Sequence, residues 1–106
     1  MDRRIATAIN IMHRDRRRNV QVRDLATQVR LSVWHFTRLF KAETSMSPKR
    51  YMRSIKVKDA QELLDGTFLS IKEIAAHTGS GDRSHFSRHF KKICGQSPSK
   101  FRTTTD

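Results

Sequence analysis

Two groups of side chains stand out for the chemistry they can do. Thr37, Arg38 and Lys41 lie within five residues of one another, and Ser87, Arg88 and Lys91 repeat the arrangement fifty positions later. An arginine fork can bond O6 and N7 of guanine, a hydroxyl can bond a base edge or a phosphate, and a lysine can neutralise phosphate. On a helix, which advances about 100° per residue, Trp34, Thr37, Arg38 and Lys41 fall on one side and Phe36, Leu39 and Phe40 on the other. In the second group Ser84, Ser87, Arg88 and Lys91 oppose Phe86, Phe90 and Ile93. Each segment thus pairs an apolar back with a cationic, hydroxyl-bearing front.

Composition favours an anionic partner. The 106 residues hold 22 Lys plus Arg against 10 Asp plus Glu, a net charge of +12. Such a balance predicts attraction to nucleic acid or an anionic surface and says nothing about fold. The acids are placed unevenly. None lies between Asp24 and Glu43, and none between Asp82 and Asp106, so both cationic segments sit in acid-free windows.

The segments belong to a longer internal repeat. VRDLA (22–26) matches IKEIA (71–75) at an offset of 49, and FTRLFKAETSMSPKRYM (36–52) matches FSRHFKKICGQSPSKFR (86–102) at an offset of 50. The extra residue falls between the matched blocks, in a turn. A short apolar-faced helix, a tight turn and a second helix of about three turns is the helix-turn-helix layout, whose second helix can enter a major groove.

The elements that carry this layout are legible as helices. Ser47-Pro48 and Ser97-Pro98 pair an N-cap with a good first helical residue. Ser70 and Glu73 have capping-box spacing, and Asp65-Gly66 offers a stop. The spacing predicts helices over about 2–17, 22–30, 32–43, 48–65, 71–78, 83–93 and from 98 onward. Ile5, Ile9 and Met12 form the inner face of the first. RDRRRN (14–19) is a charged connector that either touches phosphate or is solvated. No segment alternates apolar and polar residues for long enough to predict a strand. The expected fold is all-α, with three stretches: 1–47, a linker helix 48–66, and 67–106.

These motifs together, LA…LS-x-x-x-F-x-R-x-F-K followed by IKEIA…G-x-G-D-R-S-H-F-S-R-H-F-K-K…G-x-S-P-x-x-F-R, resemble the DNA-binding domain of AraC/XylS-type transcription regulators over about residues 5–102. The resemblance implies two homeodomain-like helix-turn-helix subdomains joined by a long central helix, with Tyr51, Ile55, Leu63 and Leu64 packing into the two halves. It implies double-stranded DNA as partner, read in two successive major-groove segments about one turn apart, and regulation through RNA polymerase. Family reading positions map onto Val33, Trp34, His35, Thr37 and Arg38 in the first copy, and onto Arg83, Ser84, Ser87 and Arg88 in the second. The first copy often dominates specificity in such proteins. Three residues depart from the pattern: Ser80 replaces a buried Phe, Cys94 an aromatic and Ser45 a glycine. The chain is expected to be either a standalone member or the DNA-binding piece of a longer regulator, a monomer unless a further domain dimerises it.

Other chemistry is poorly supported. His85 and His89 have metal-ligand spacing, but zinc sites use three or four protein ligands and Cys94 falls about 140° round the helix from His89. The plainer reading puts His85 beside phosphate and His89 half inside. Cys94 reads as a small buried hydrophobe, and a single cysteine fits a reducing compartment. No catalytic triad, phosphate loop or carboxylate pair is present, so no enzyme and no cofactor is expected. The N-terminus lacks a signal-peptide core, which favours an intracellular protein, and the resemblance implies a cytoplasmic, nucleoid-associated one. Trp34 either contacts DNA or is covered by another helix such as the first. Two rival functions stay open: a nonspecific polyanion binder, and a helical domain that docks a protein on Trp34.

Overall fold

The computed structural model describes residues 1–79 and 81–105. Among them are seven helices and no strand: α1 (Arg3–Arg14), α2 (Val22–Gln28), α3 (Val33–Thr44), α4 (Pro48–Gly66), α5 (Ile71–His77), α6 (Arg83–Cys94) and α7 (Pro98–Thr105). The chain divides into two compact units, Met1–Met52 and Arg53–Asp106, with the division inside α4.

In the first unit α1, α2 and α3 pack on one another. Ile5, Ala8, Ile11 and Met12 of α1, Leu25, Ala26 and Val29 of the α2 segment, and Phe36 and Phe40 of α3 are buried. The expectation for α1 is corrected here: Ala8 and Ile11 face inward, Ile9 is only half-buried, and the helix stops at Arg14 rather than near 17. An apolar stripe at i, i+3, i+6 and i+7 selects Ile5, Ala8, Ile11 and Met12, and Ile9 sits at its margin. Tyr51, at the start of α4, closes the unit edge-on against Phe40, with ring centres 5.4 Å apart.

The second unit repeats this plan. Phe86 and Phe90 of α6 are buried with Ile74 and Ala75 of α5, and Phe101 of α7 meets Phe90 edge-on at 5.6 Å. Its first helix is the latter part of α4, which supplies Val57, Ala60 and Leu64, with Leu63 partly buried beside them. Ile5, Ala8, Ile11 and Met12 therefore match Val57, Ala60, Leu63 and Leu64 at an offset of 52. The repeat thus extends into the first helix of each unit. The signal was present in the sequence but hidden, because the offset differs from 49 and 50 and, apart from Ala8 and Ala60, only apolar character is shared. Ile55 is buried as well.

Local signals explain the element ends. The Ser47 and Ser97 hydroxyls accept from the Arg50 and Lys100 amides, each at 3.2 Å. Ser70 and Glu73 complete their capping box. Glu73 is held below the usual carboxylate range by its bonds to Ser70. α4 ends at the expected Asp65-Gly66 stop, but not through a left-handed glycine. α4 includes Gly66, which is absent from the left-handed positions, and the Thr67 amide still bonds the Leu63 carbonyl. The Arg102 guanidinium donates to the carbonyls of Leu64 (3.2 Å) and Thr67 (3.5 Å), placing a cation at the negative end of α4.

α3 and α6 end alike, in left-handed residues at Ser45 (φ 64°) and Gly95 (φ 82°), whose amides bond Lys41 and Lys91 carbonyls at 2.8 Å. Glycine adopts this conformation without Cβ repulsion, and serine does not. Ser45→Gly should therefore stabilise the chain by about 1 kcal/mol and Gly95→Ser destabilise it by about as much, read as opposite shifts of the urea midpoint.

Candidate nucleic-acid interface

The turn that sets up each front face is built from left-handed backbone. α2 ends through Arg30 (φ 61°), whose amide bonds the Thr27 carbonyl while the Leu31 amide reaches Ala26 at 2.9 Å. In the second unit Gly79 (φ 69°) takes the same part, with its amide on Ala76. The chain then re-enters helix at a cap. The Ser32 hydroxyl accepts from the His35 amide at 3.1 Å, and the Asp82 carboxylate accepts from the His85 amide at 2.7 Å. Each cap satisfies a free helical N–H and fixes where the first turn begins.

Rotation about the helix axis follows from the buried rings. Phe36 and Phe40 are fully buried with ring centres 5.7 Å apart, and Phe86 and Phe90 repeat the pair at 5.9 Å. Burial over 32–50 and 82–100 agrees position by position. Val33, Trp34, His35, Arg38 and Lys41 are exposed in α3, as are Arg83, Ser84, His85, Arg88 and Lys91 in α6. Thr37 and Ser87 are half-buried, at the border of the front rather than on it. Leu39 and His89 are half-buried at the opposite border. One expectation fails: Ile93 is 43% exposed and lies outside the core. Its partner in the first copy is Glu43, also exposed, and that pairing was the available clue.

Trp34 is 67% exposed, so no helix covers it. Instead the Arg38 guanidinium carbon lies 4.7 Å from the centre of its ring. Neither α3 nor α6 has an acidic residue in its first turn, so the fronts stay cationic apart from the Asp82 cap. Arg16 of the charged connector donates to the His13 carbonyl at 3.2 Å.

The remaining polar groups behave as structure. Cys94 is partly buried, and the Gln61 amide donates to its Sγ at 3.1 Å. Burial pushes the thiol's pKa up, against the effect of that bond, which disfavours the thiolate. The Lys56 ammonium donates to the Thr78 carbonyl at 2.7 Å, and its burial lowers its pKa against the pull of Asp59. Ser80, the predicted gap in the second core, lies outside the described residues. The His85 and His89 rings are 4.1 Å apart. Among the described residues no three His, Cys, Asp or Glu side chains gather as a metal site, and no helix is long and apolar enough to cross a membrane.

His89 carries a pH dependence close to neutrality. Burial first, then the charges of His85, Arg53, Lys92 and Arg88, hold its pKa below 6.5. The unfolded residue binds a proton more readily than the folded one. Stability is therefore complete above about pH 6.5 and falls as the pH drops through that value toward the lower folded one. His89→Leu, which installs the residue of the matching position 39, should raise the urea midpoint more at pH 5.5 than at pH 8; an equal gain at both would sink this account.

Known proteins share this arrangement. The model of a family described as "Helix-turn-helix domain" matches residues 25–104. The Msm operon regulatory protein of Streptococcus mutans is 37% identical over 92 residues, covering 87% of this chain and 33% of that protein. The C-terminal domain of AraT, a response regulator from Geobacillus stearothermophilus, superposes with a TM-score of 0.93 at 28% identity, covering 97% of this chain and 86% of the other. The DNA-binding domain of AdpA, a transcriptional factor solved in complex with a target DNA, gives a TM-score of 0.92 at 24% identity over 97% and 93% of the two chains, which speaks to fold. The chain spans about a third of the length of the curated relatives it matches.

Proposed function

Because this chain belongs to the helix-turn-helix DNA-binding domains of AraC/XylS-type transcription regulators, we propose that it binds double-stranded DNA by sequence and reads two major-groove segments with α3 and α6. The observation that carries this reading is the twofold occurrence of one device. Each reading helix has buried phenylalanines behind and exposed cations in front. In each, a cap fixes its first turn, and a left-handed residue ends the helix before it.

In this reading Arg38 and Arg88 bond base edges or phosphate from equivalent steps. Lys41 and Lys91 neutralise phosphate, and Val33, Trp34, His35, Arg83, Ser84 and His85 line the approach. Thr37 and Ser87, at the border, bond sugar-phosphate or a base at the groove edge. α4 joins the two subdomains. With both readers in one chain, a monomer suffices to occupy a bipartite site. The bound chain acts on transcription in the cytoplasm through RNA polymerase.

Selection of duplexes from a random library at near-physiological salt tests the reading. Two enriched blocks about one helical turn apart support it, and a single block assigns the reading to one unit. Binding without enrichment that vanishes on adding salt leaves only nonspecific attraction and defeats it. On the selected duplex, Arg38→Ala should cost about 1–3 kcal/mol and relax the preference at one base pair. Lys41→Ala should weaken all duplexes alike and reduce the salt slope by about one. Titrations across salt concentration with matched and mismatched duplexes separate the two.

A further inference from the structure

The two fronts differ at a matched place. Arg38 and Arg88 stand at the same step of their helices, and one turn before them lie Trp34 in α3 and Ser84 in α6. Trp34 stands outside the core: it is 67% exposed, and its ring carries the Arg38 guanidinium at 4.7 Å. Position 84 has no ring to offer its arginine.

The contact matters because of what arginine must do on a base. Bonding O6 and N7 of one guanine requires the planar fork in a single orientation. A free arginine has many rotamers, and ordering it on binding costs affinity and sharpness. A guanidinium stacked on an indole has one face covered while its N–H edges stay available. The stack therefore removes conformations without removing donors.

We infer that Trp34 is a positioning residue, which holds Arg38 in advance for a guanine in the block read by α3, while Arg88, beside Ser84, reads its base permissively. This deepens the DNA-reading function and rests on it. The chain's single tryptophan makes the stack visible before any DNA is added. Arg38→Ala should change the Trp34 emission of the free protein. An unchanged spectrum overturns the stack.

The decisive experiment is a double-mutant cycle of Trp34 and Arg38 on the selected duplex and on duplexes altered at the pair that Arg38 reads. Trp34→Leu should lose about two- to fivefold of the guanine preference at that pair, the size expected of an exposed cation–π contact. Trp34→Tyr, which keeps a ring, should retain most of it. With Arg38→Ala already present, Trp34→Leu should change nothing at that pair. Equal losses from Trp34→Leu with and without Arg38, or selectivity in Trp34→Leu equal to wild type, overturn the inference and make Trp34 at most a direct contact to DNA. If the wild-type chain itself enriches no sequence, the DNA-reading function fails, and this inference with it.

Discussion

Burying two phenylalanines one turn apart leaves a helix no freedom of rotation about its own axis. Phe36 and Phe40 do this for α3, and Phe86 and Phe90 for α6. Full burial of such a side chain is worth about 1.5–3 kcal/mol, far more than the preference of any surface cation for one direction over another. The back of each helix therefore decides its front. Arg38, Lys41, Arg88 and Lys91 face solvent because the rings cannot. Nothing at the front needs to hold the helix in place, so its residue types are free to vary without loss of the fold.

The same economy runs through the two units. Tyr51 and Phe101 close their cores edge-on against Phe40 and Phe90 with nearly equal ring separations. The first helix of each unit repeats the same apolar stripe, once as α1 and once within α4. α4 thus has two jobs in sequence: its first turn completes one unit, and its remainder opens the next. That double use explains why it is the longest helix and why its apolar pattern is hard to read as one amphipathic element.

The two copies part company where function leaves them room. The cap of α3 is a neutral hydroxyl, and that of α6 is a carboxylate beside a surface that is otherwise cationic. The left-handed stop is a serine in one and a glycine in the other. The front carries an indole at position 34 of α3 and a small hydroxyl at the matched position 84 of α6. An equal scaffold with unequal fronts is what two different stretches of one polyanion would require.

The sequence by itself determined the all-α class, the seven helices to within a few residues, the repeat and the cationic fronts. These depend on local propensity, caps and a periodicity that persists over several turns. It failed at the margins. Ile9 and Ile93 look apolar enough to be inside, yet a step of about 100° per residue leaves border positions undecided until a neighbouring helix arrives. Ala8 and Ile11 are inside because of where α2 and α3 lie, and Ile93 is outside because no element among the described residues fully covers that side. Thr37 and Ser87 are half-covered for the same reason. The stacking of Arg38 on Trp34 was equally beyond the sequence, which gives the spacing i, i+4 but not the rotamers that bring the guanidinium over the ring. Local patterns fix which elements form and which side is apolar. Only tertiary packing decides where that side ends and which exposed groups meet.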